Sequence, residues 1–205
     1  RRVLHVKDRT GRALVEVLQE QVAQRSNILH CRGVRVSQLW VEGNRCQGVQ
    51  VLDGRCLYWL PARAVVLATG GGGHLFANTT NPAQASGEGI VLGWRAGAAI
   101  EDLEFVQFHP TALQLAGAPC FLLSEALRGE GAVLVDEWGK SPVIDLPGGD
   151  LAPRDQVSRA LVQTMQKQGV NHLGLDLSSI PSQLAETRFP NILQRCRELG
   201  LDPLA

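Results

Sequence analysis

Four short blocks of this 205-residue sequence hold residues whose types and spacing suit chemistry. The first is A-T-G-G-G-G, where Thr69 is followed by Gly70, Gly71, Gly72 and Gly73. Consecutive glycines let a ligand press on the backbone, and they equally serve a tight turn between sheet and helix. No Lys-Ser or Lys-Thr pair follows, which excludes a Walker A phosphate loop. The adjoining N-T-T-N-P-A-Q-A-S-G-E-G run ends on a helix start at Glu88 and favours the ligand reading. The second block is E-F-V-Q-F-H-P-T-A-L. His109 lies between Phe108 and Pro110, so its backbone is restrained and its imidazole has a defined direction. Such a histidine is either a hydrogen-bonded structural residue or, beside Thr111, a grip for a carboxylate.

The third block is F-L-L-S-E-A-L-R-G-E-G-A. Read as a helix, it puts Ser124, Glu125 and Arg128 on one face at i, i+3 and i+4 spacings. Glu125 and Arg128 then form a surface ion pair, or a partly buried one given the leucines around them. The fourth block is L-A-P-R-D-Q-V-S-R-A. Asp155 suits the first turn of a helix and Arg154 does not, because the helix dipole favours anions there. Either Arg154 faces solvent or it points into an anionic site.

The elements that carry these blocks follow from periodicity and turn chemistry. Gly11 opens a helical pattern with Leu14, Val17, Leu18, Gln21 and Val22 on one face. Strand-like runs follow at Ile28 to Cys31, Val34 to Val41, Gln47 to Leu52 and Cys56 to Leu60, with turns at Glu42 to Arg45 and Asp53-Gly54. The last of these runs form an antiparallel meander. Ala64 to Ala68 is apolar without alternation, the pattern of a parallel strand buried on both faces. It ends at the glycines, where open α/β sheets bind ligands. Ser86 to Ala98 reads as a helix of small residues with Ser86 as its cap. Phe121 to Arg128 reads as a short helix, and Asp136 to Asp150 as a loop. Pro153 to Gln168 is an amphipathic helix with Val157, Ala160, Leu161, Thr164 and Met165 as its buried stripe and Gly169 as its stop. Pro181 and Pro190 open further helical segments, the last ending at Gly200. The chain divides into an α/β part, residues 1–103, and an α+β part, residues 104–205.

Composition removes several function classes. Lys plus Arg and Asp plus Glu each number 20, so the formal net charge is zero, which disfavours a generic nucleic-acid binder. No run approaches the roughly 18 apolar residues of a membrane span. The opening R-R-V-L-H-V-K-D-R is basic, but no apolar core region follows, so no secretory leader is expected. The five cysteines Cys31, Cys46, Cys56, Cys120 and Cys196 show no C-x-x-C spacing. A disulfide framework and a zinc site are both disfavoured, and reduced thiols in a cytoplasmic protein are expected.

Taken in order and at these separations, the four blocks resemble the flavoprotein family of succinate dehydrogenase, fumarate reductase and L-aspartate oxidase. F-H-P-T-A-L, F-L-L-S-E-A-L-R-G-E-G-A, L-A-P-R-D and the ending R-F-P-N-I-L-Q-R-C-R-E-L-G-L-D-P are most similar to the L-aspartate oxidase branch. The resemblance covers essentially the whole chain. It implies part of a Rossmann-like FAD-binding domain over residues 1–103, then a fumarate-reductase-type capping domain over residues 104–205.

The resemblance also implies roles. Thr69, Gly70 and Gly71 match a turn beside non-covalently held FAD. Glu88 stands where the family has Asp in a G-D-G motif that contacts the cofactor; it keeps the charge and adds a methylene. His109, Thr111, Ser124 and Glu125 match residues that line a dicarboxylate site. Arg154 matches the arginine that moves a proton to or from the substrate, and Glu125 and Arg128 match its relay. A diacid in a low-dielectric cleft needs such cationic and hydrogen-bonding groups. The implied activity is oxidation of L-aspartate to iminoaspartate for NAD biosynthesis, with oxygen or fumarate as acceptor and a quinolinate synthase as partner. The alternatives are a succinate dehydrogenase or fumarate reductase flavoprotein subunit, acting on succinate or fumarate, and a structural fragment without activity. The G-x-G-x-x-G nucleotide fingerprint is not in the sequence, nor are the family's second histidine and carboxylate-binding arginine. The chain therefore reads as an internal fragment that should neither hold FAD tightly nor turn over substrate by itself.

Overall fold

The computed structural model describes residues 4–204, so the first three residues of the basic opening lie outside the described part. The chain divides into two compact units, one of Glu20–Val106 and one of Arg1–Gln19 with Gln107–Ala205. The sequence pattern puts the division at 103/104 and gives the opening residues to the first part. The structure groups them with the second.

In the Glu20–Val106 unit, β1 (Val34–Glu42), β2 (Arg45–Asp53) and β3 (Cys56–Pro61) form an antiparallel meander in the order β1-β2-β3. Its register follows from its two turns, where Gly43 and Gly54 take φ of 59° and 58°. Those left-handed conformations are open to glycine at little cost. Val34 pairs with Asp53, and Val51 pairs with Tyr58. The central strand buries Val51, and Trp40 meets Trp59 with ring centroids 5.7 Å apart. A helix, Glu88–Arg95, packs on β1.

Three expectations for this stretch need correction. Ile28 to Cys31 is irregular chain, and Leu29 is 88% exposed. Ala64 to Ala68 is not a strand: none of the described strands pairs with it, and Val66 is 85% exposed. A backbone whose N–H and C=O groups find no neighbouring strand stays outside a sheet however apolar its side chains are. The parallel sheet expected around this run is accordingly not formed among the described residues, whose three sheets are all antiparallel. Finally, the cap of the Glu88–Arg95 helix is Gly87, with φ of 77°, and not Ser86.

α1 (Thr10–Ala23), whose residues up to Gln19 belong to the other unit, has an exposed apolar stripe of Leu14, Val17 and Leu18. With α1 so numbered, the Glu88–Arg95 helix is α2. After Gln107 come β4 (Ala112–Leu113) and β5 (Phe121–Leu122), paired antiparallel. α3 (Glu125–Gly129) and β6 (Val133–Val135) follow. The expected helix from Phe121 is therefore a strand as far as Leu122. Ser124 caps α3, its Oγ accepting from the Ala126 N–H at 3.3 Å. α4 (Arg154–Gln168) starts after Pro153 and stops at Gly169, whose φ of 70° suits a left-handed cap. β7 (Gly174–Asp176) pairs with β6, and α5 (Ser182–Arg188) and α6 (Pro190–Glu198) close the unit.

Two apolar clusters hold these elements. α3, α5 and α6 bring together Leu127, Ala185, Phe189, Ile192, Leu193 and Cys196. α4 and β6 bring Val157 and Leu161 onto Leu134, Val143 and Ala152. Leu175 of β7 packs against both clusters.

Candidate functional site

The irregular stretch before β4 carries Gln107 and His109. The His109 ring is tied to its own chain: Nδ1 lies 3.2 Å from the Thr111 N–H nitrogen and 3.0 Å from the Thr111 carbonyl oxygen. Thr111 is buried, and its hydroxyl donates to the Leu123 carbonyl at 2.8 Å. Thr111 thus links the His109 loop to the strand that leads into α3. Ser124, half-buried, uses its oxygen as a cap acceptor, which leaves its O–H free to donate.

Arg154 opens α4 and its side chain is 39% exposed, neither turned out into solvent nor sealed in. Its Nε donates to Glu125 Oε2 at 2.9 Å, and its Nη1 donates to Gln107 Oε1 at 2.9 Å. Nη2 makes no hydrogen bond among the described residues. A cation at a helix N-terminus, against the dipole, is therefore explained by a carboxylate and an amide that hold it. Arg128 differs from expectation. It forms neither a surface ion pair nor a hydrogen bond with Glu125 among the described residues. It is 4% exposed, and its Nη1 donates to the Asp150 carbonyl. Its Nε and Nη2 are buried without a partner among the described residues. Burial pushes the Arg128 pKa below its ordinary value, opposed by Glu125 and Asp150 and helped by Arg154.

The same groups act on His109. Burial is the chief cause that holds its pKa below the usual histidine value. The Thr111 hydrogen bond opposes this, Arg154 and Arg128 add to it, and Glu125 opposes it. The structure thus brings His109, Thr111, Ser124, Glu125, Arg128 and Arg154 into one unit, in a connected set. Sequence reasoning missed Gln107 and Asp150. Gln107 carried a signal, since in an extended stretch a residue two before His109 shares its side. Asp150 carried none, because its partners Leu134 and Arg128 lie 16 and 22 positions away in sequence.

The other unit holds the glycine turn. Gly70 has φ of 73°, and nothing lies within 4 Å of where a Cβ would stand on Gly70 or Gly71. The Gly71 carbonyl accepts from the Gly87 N–H at 3.3 Å, and the Ala85 carbonyl accepts from His74 N–H at 2.9 Å. Thr69 lies so close to Gly89 that a Cβ there would collide with its side chain. Thr69, Gly71 and the first turn of α2 are thereby brought together. Glu88, in that turn, pairs with Arg35 of β1 at 2.6 Å. Arg35 was not singled out from sequence.

The model of the FAD binding domain family matches residues 1–203. The chain belongs to this FAD-binding family. Among curated relatives, it is 49% identical over 208 residues to an L-aspartate oxidase of Nostoc sp., covering 98% of this chain and 36% of the relative. It is 48% identical to an L-aspartate oxidase of Synechocystis sp., covering 98% of this chain and 38% of that one. The chain thus spans little more than a third of the length of these relatives. Among solved structures, a quinol-fumarate reductase with menaquinol molecules aligns at a TM-score of 0.84 and 28% identity, over 97% of this chain and 38% of that one. The fold is that of the FAD-binding domain of the succinate dehydrogenase and fumarate reductase flavoproteins.

FAD is the cofactor that the family implies, and the glycine turn fits it. A Cβ on Gly70 or Gly71 would meet nothing within 4 Å, so the backbone of this turn is open to ligand atoms. Among the described residues no group of His, Cys, Asp and Glu could hold a metal ion. No helix among them is long and apolar enough to cross a membrane.

Proposed function

We propose that this chain is part of a flavoprotein that oxidises L-aspartate to iminoaspartate. Residues 1–103 form a portion of its FAD-binding domain and residues 104–205 most of its capping domain. The observation that carries the reading is Arg154, held by Glu125 and Gln107 beside His109. The 48–49% identity to L-aspartate oxidases supports it.

Each residue has a physical task in this reading. Burial favours the neutral form of His109 before a ligand binds. With Nδ1–H donating to the Thr111 carbonyl at 3.0 Å, Nε2 is left to face the ligand, and it donates to a substrate carboxylate once that anion has drawn a proton onto the ring. Ser124 donates its O–H to the same ligand, and Thr111 acts as the strut behind His109. Arg154 offers Nη2 to the diacid while Glu125 and Gln107 fix its direction, which lowers the desolvation cost of an anionic ligand. Oxidation removes the Cα hydrogen with its electron pair and one proton from the amino group. Arg154 and Glu125 handle that proton, with Glu125 also facing the buried Arg128. Thr69, Gly70, Gly71 and Glu88 would hold FAD, which when bound accepts the hydride. Iminoaspartate would then pass to a quinolinate synthase in the cytoplasm.

Arg154→Gln in the complete flavoprotein tests this. General acid–base groups contribute about 100- to 10,000-fold, so kcat for aspartate-dependent peroxide formation should fall by about 100-fold or more, with KM changed far less. Near-normal turnover would defeat the assignment. The second reading, a succinate dehydrogenase or fumarate reductase subunit, is favoured by the fumarate reductase alignment at a TM-score of 0.84. Turnover of succinate or fumarate with none of aspartate would select it.

A further inference from the structure

The turn that launches α4 is held by one side chain. Asp150 lies in the 3-10 turn Gly149–Leu151, where Gly148 has φ of 95° and Gly149 has φ of 54°. Its Oδ1 accepts from the Leu134 N–H of β6 at 2.8 Å. Its own carbonyl accepts from Nη1 of Arg128. Leu134 and Ala152, which flank these contacts, are both buried in the cluster that also holds Val157 of α4. Four residues after Asp150, Arg154 opens α4. The carboxylate therefore pins the turn to a strand in the core, and the pinned turn presents the carbonyl to a guanidinium with no other hydrogen bond among the described residues.

We propose that Asp150 is a positioning residue that fixes Arg128 and the start of α4, and through them keeps Arg154 aligned with Glu125. This deepens the reading of Arg154 as the group that handles the substrate proton, and it rests on that reading. The Gly148-Gly149 pair has the greatest backbone freedom to regain once the carboxylate is lost. Arg154 is the first residue of its helix, so any drift of the turn moves it directly. Displacements of about 1 Å can cost about 100-fold in rate. The charged groups facing Arg128 are Glu125, Asp150 and Arg154. Losing the Asp150 anchor thus disturbs the cluster that also acts on His109.

The test uses the complete flavoprotein with Asp150→Ala, Asp150→Asn and Asp136→Ala. Asp136 is the control: its carboxylate takes the Trp138 and Lys140 N–H groups and the Gln168 side chain at the far end of α4. The first readout needs no substrate: labelling of Arg128 and Arg154 by phenylglyoxal, resolved by mass spectrometry. The second is the kcat and KM split for aspartate. Asp150→Ala should raise labelling of both arginines severalfold and lower kcat by about tenfold or more, with KM within about twofold. Asp150→Asn keeps an oxygen for Leu134 and should restore both readouts nearly to wild type. Asp136→Ala should lower stability and leave both unchanged. Wild-type labelling in Asp150→Ala, equal damage in Asp150→Asn, or equal damage in Asp136→Ala would each overturn the proposal. If the arginines unmask as described while wild type fails to oxidise aspartate, the positioning role stands and the aspartate reading falls.

Discussion

His109 is where burial and function meet in one titration. The ordinary value for its imidazole is 6.5, and the fold holds it lower, chiefly by desolvation. The unfolded chain therefore binds a proton at a pH where the folded chain does not. Stability is complete above that ordinary value and declines as pH falls towards the folded pKa. Melting temperature should drop as pH falls below the ordinary value of 6.5, and His109→Asn should flatten that dependence. A bound dicarboxylate opposes this shift, because an anion beside the ring favours imidazolium. Succinate added to the complete flavoprotein should raise the His109 pKa in an NMR titration. An unmoved titration would remove His109 from the carboxylate grip. His109 and Arg154 were legible in sequence because each broke a local rule: a histidine locked before proline, and a cation on the positive end of a helix. Asp150 was not, because its partners Leu134 and Arg128 lie far from it in sequence, and Gln107 was marked only by its place two residues before His109.

At the scale of elements, pattern and burial part company. α6 and α1 both carry apolar stripes, yet α6 buries Ile192, Leu193 and Cys196 while α1 buries no residue. α6 is further fixed at its start by Asp8, whose Oδ2 accepts from the Ile192 N–H at 2.9 Å across 184 positions of sequence. Leu193→Ala should cost about 2–5 kcal/mol in this chain, as deletions in packed cores do. Leu18→Ala, made on a stripe that nothing covers, should stay within about 0.5 kcal/mol. Denaturant melts of the two variants decide it, and equal costs would mean that α1 is packed. α4 was legible from both ends because Pro153 and Gly169 act within one turn. The hairpin at Asp53-Gly54 was legible for the same reason. The Phe121 segment was misread as helix because leucines alone do not separate a short strand from a helix. Thr111, twelve residues before Leu123, decides it by taking the Leu123 N–H on its carbonyl.

At the scale of the whole molecule, the two units differ in how much they bury. The unit with the catalytic candidates has two apolar clusters, whereas among the described residues of Glu20–Val106 the buried large apolar side chains are Val51 and Leu92, and neither is fully buried. Ala64 to Ala68 is the sharpest case. Five apolar residues in a row are written for a strand covered on both faces, and here they lie in irregular chain. Sequence can specify that a segment wants neighbours but cannot say which residues supply them. If strands elsewhere in the complete flavoprotein flank this run, its amides gain partners there that they lack in the 205-residue chain. Hydrogen exchange distinguishes the two situations, since protection follows the free energy of opening. In the 205-residue chain, amides of residues 64–68 should exchange fast while those of α4 and α6 are slow, and added FAD should not slow them. In the complete flavoprotein the same amides should rank with the slowest. Fast exchange in both would mean that the run is no sheet strand, and that the glycine turn after it is positioned by α2 alone.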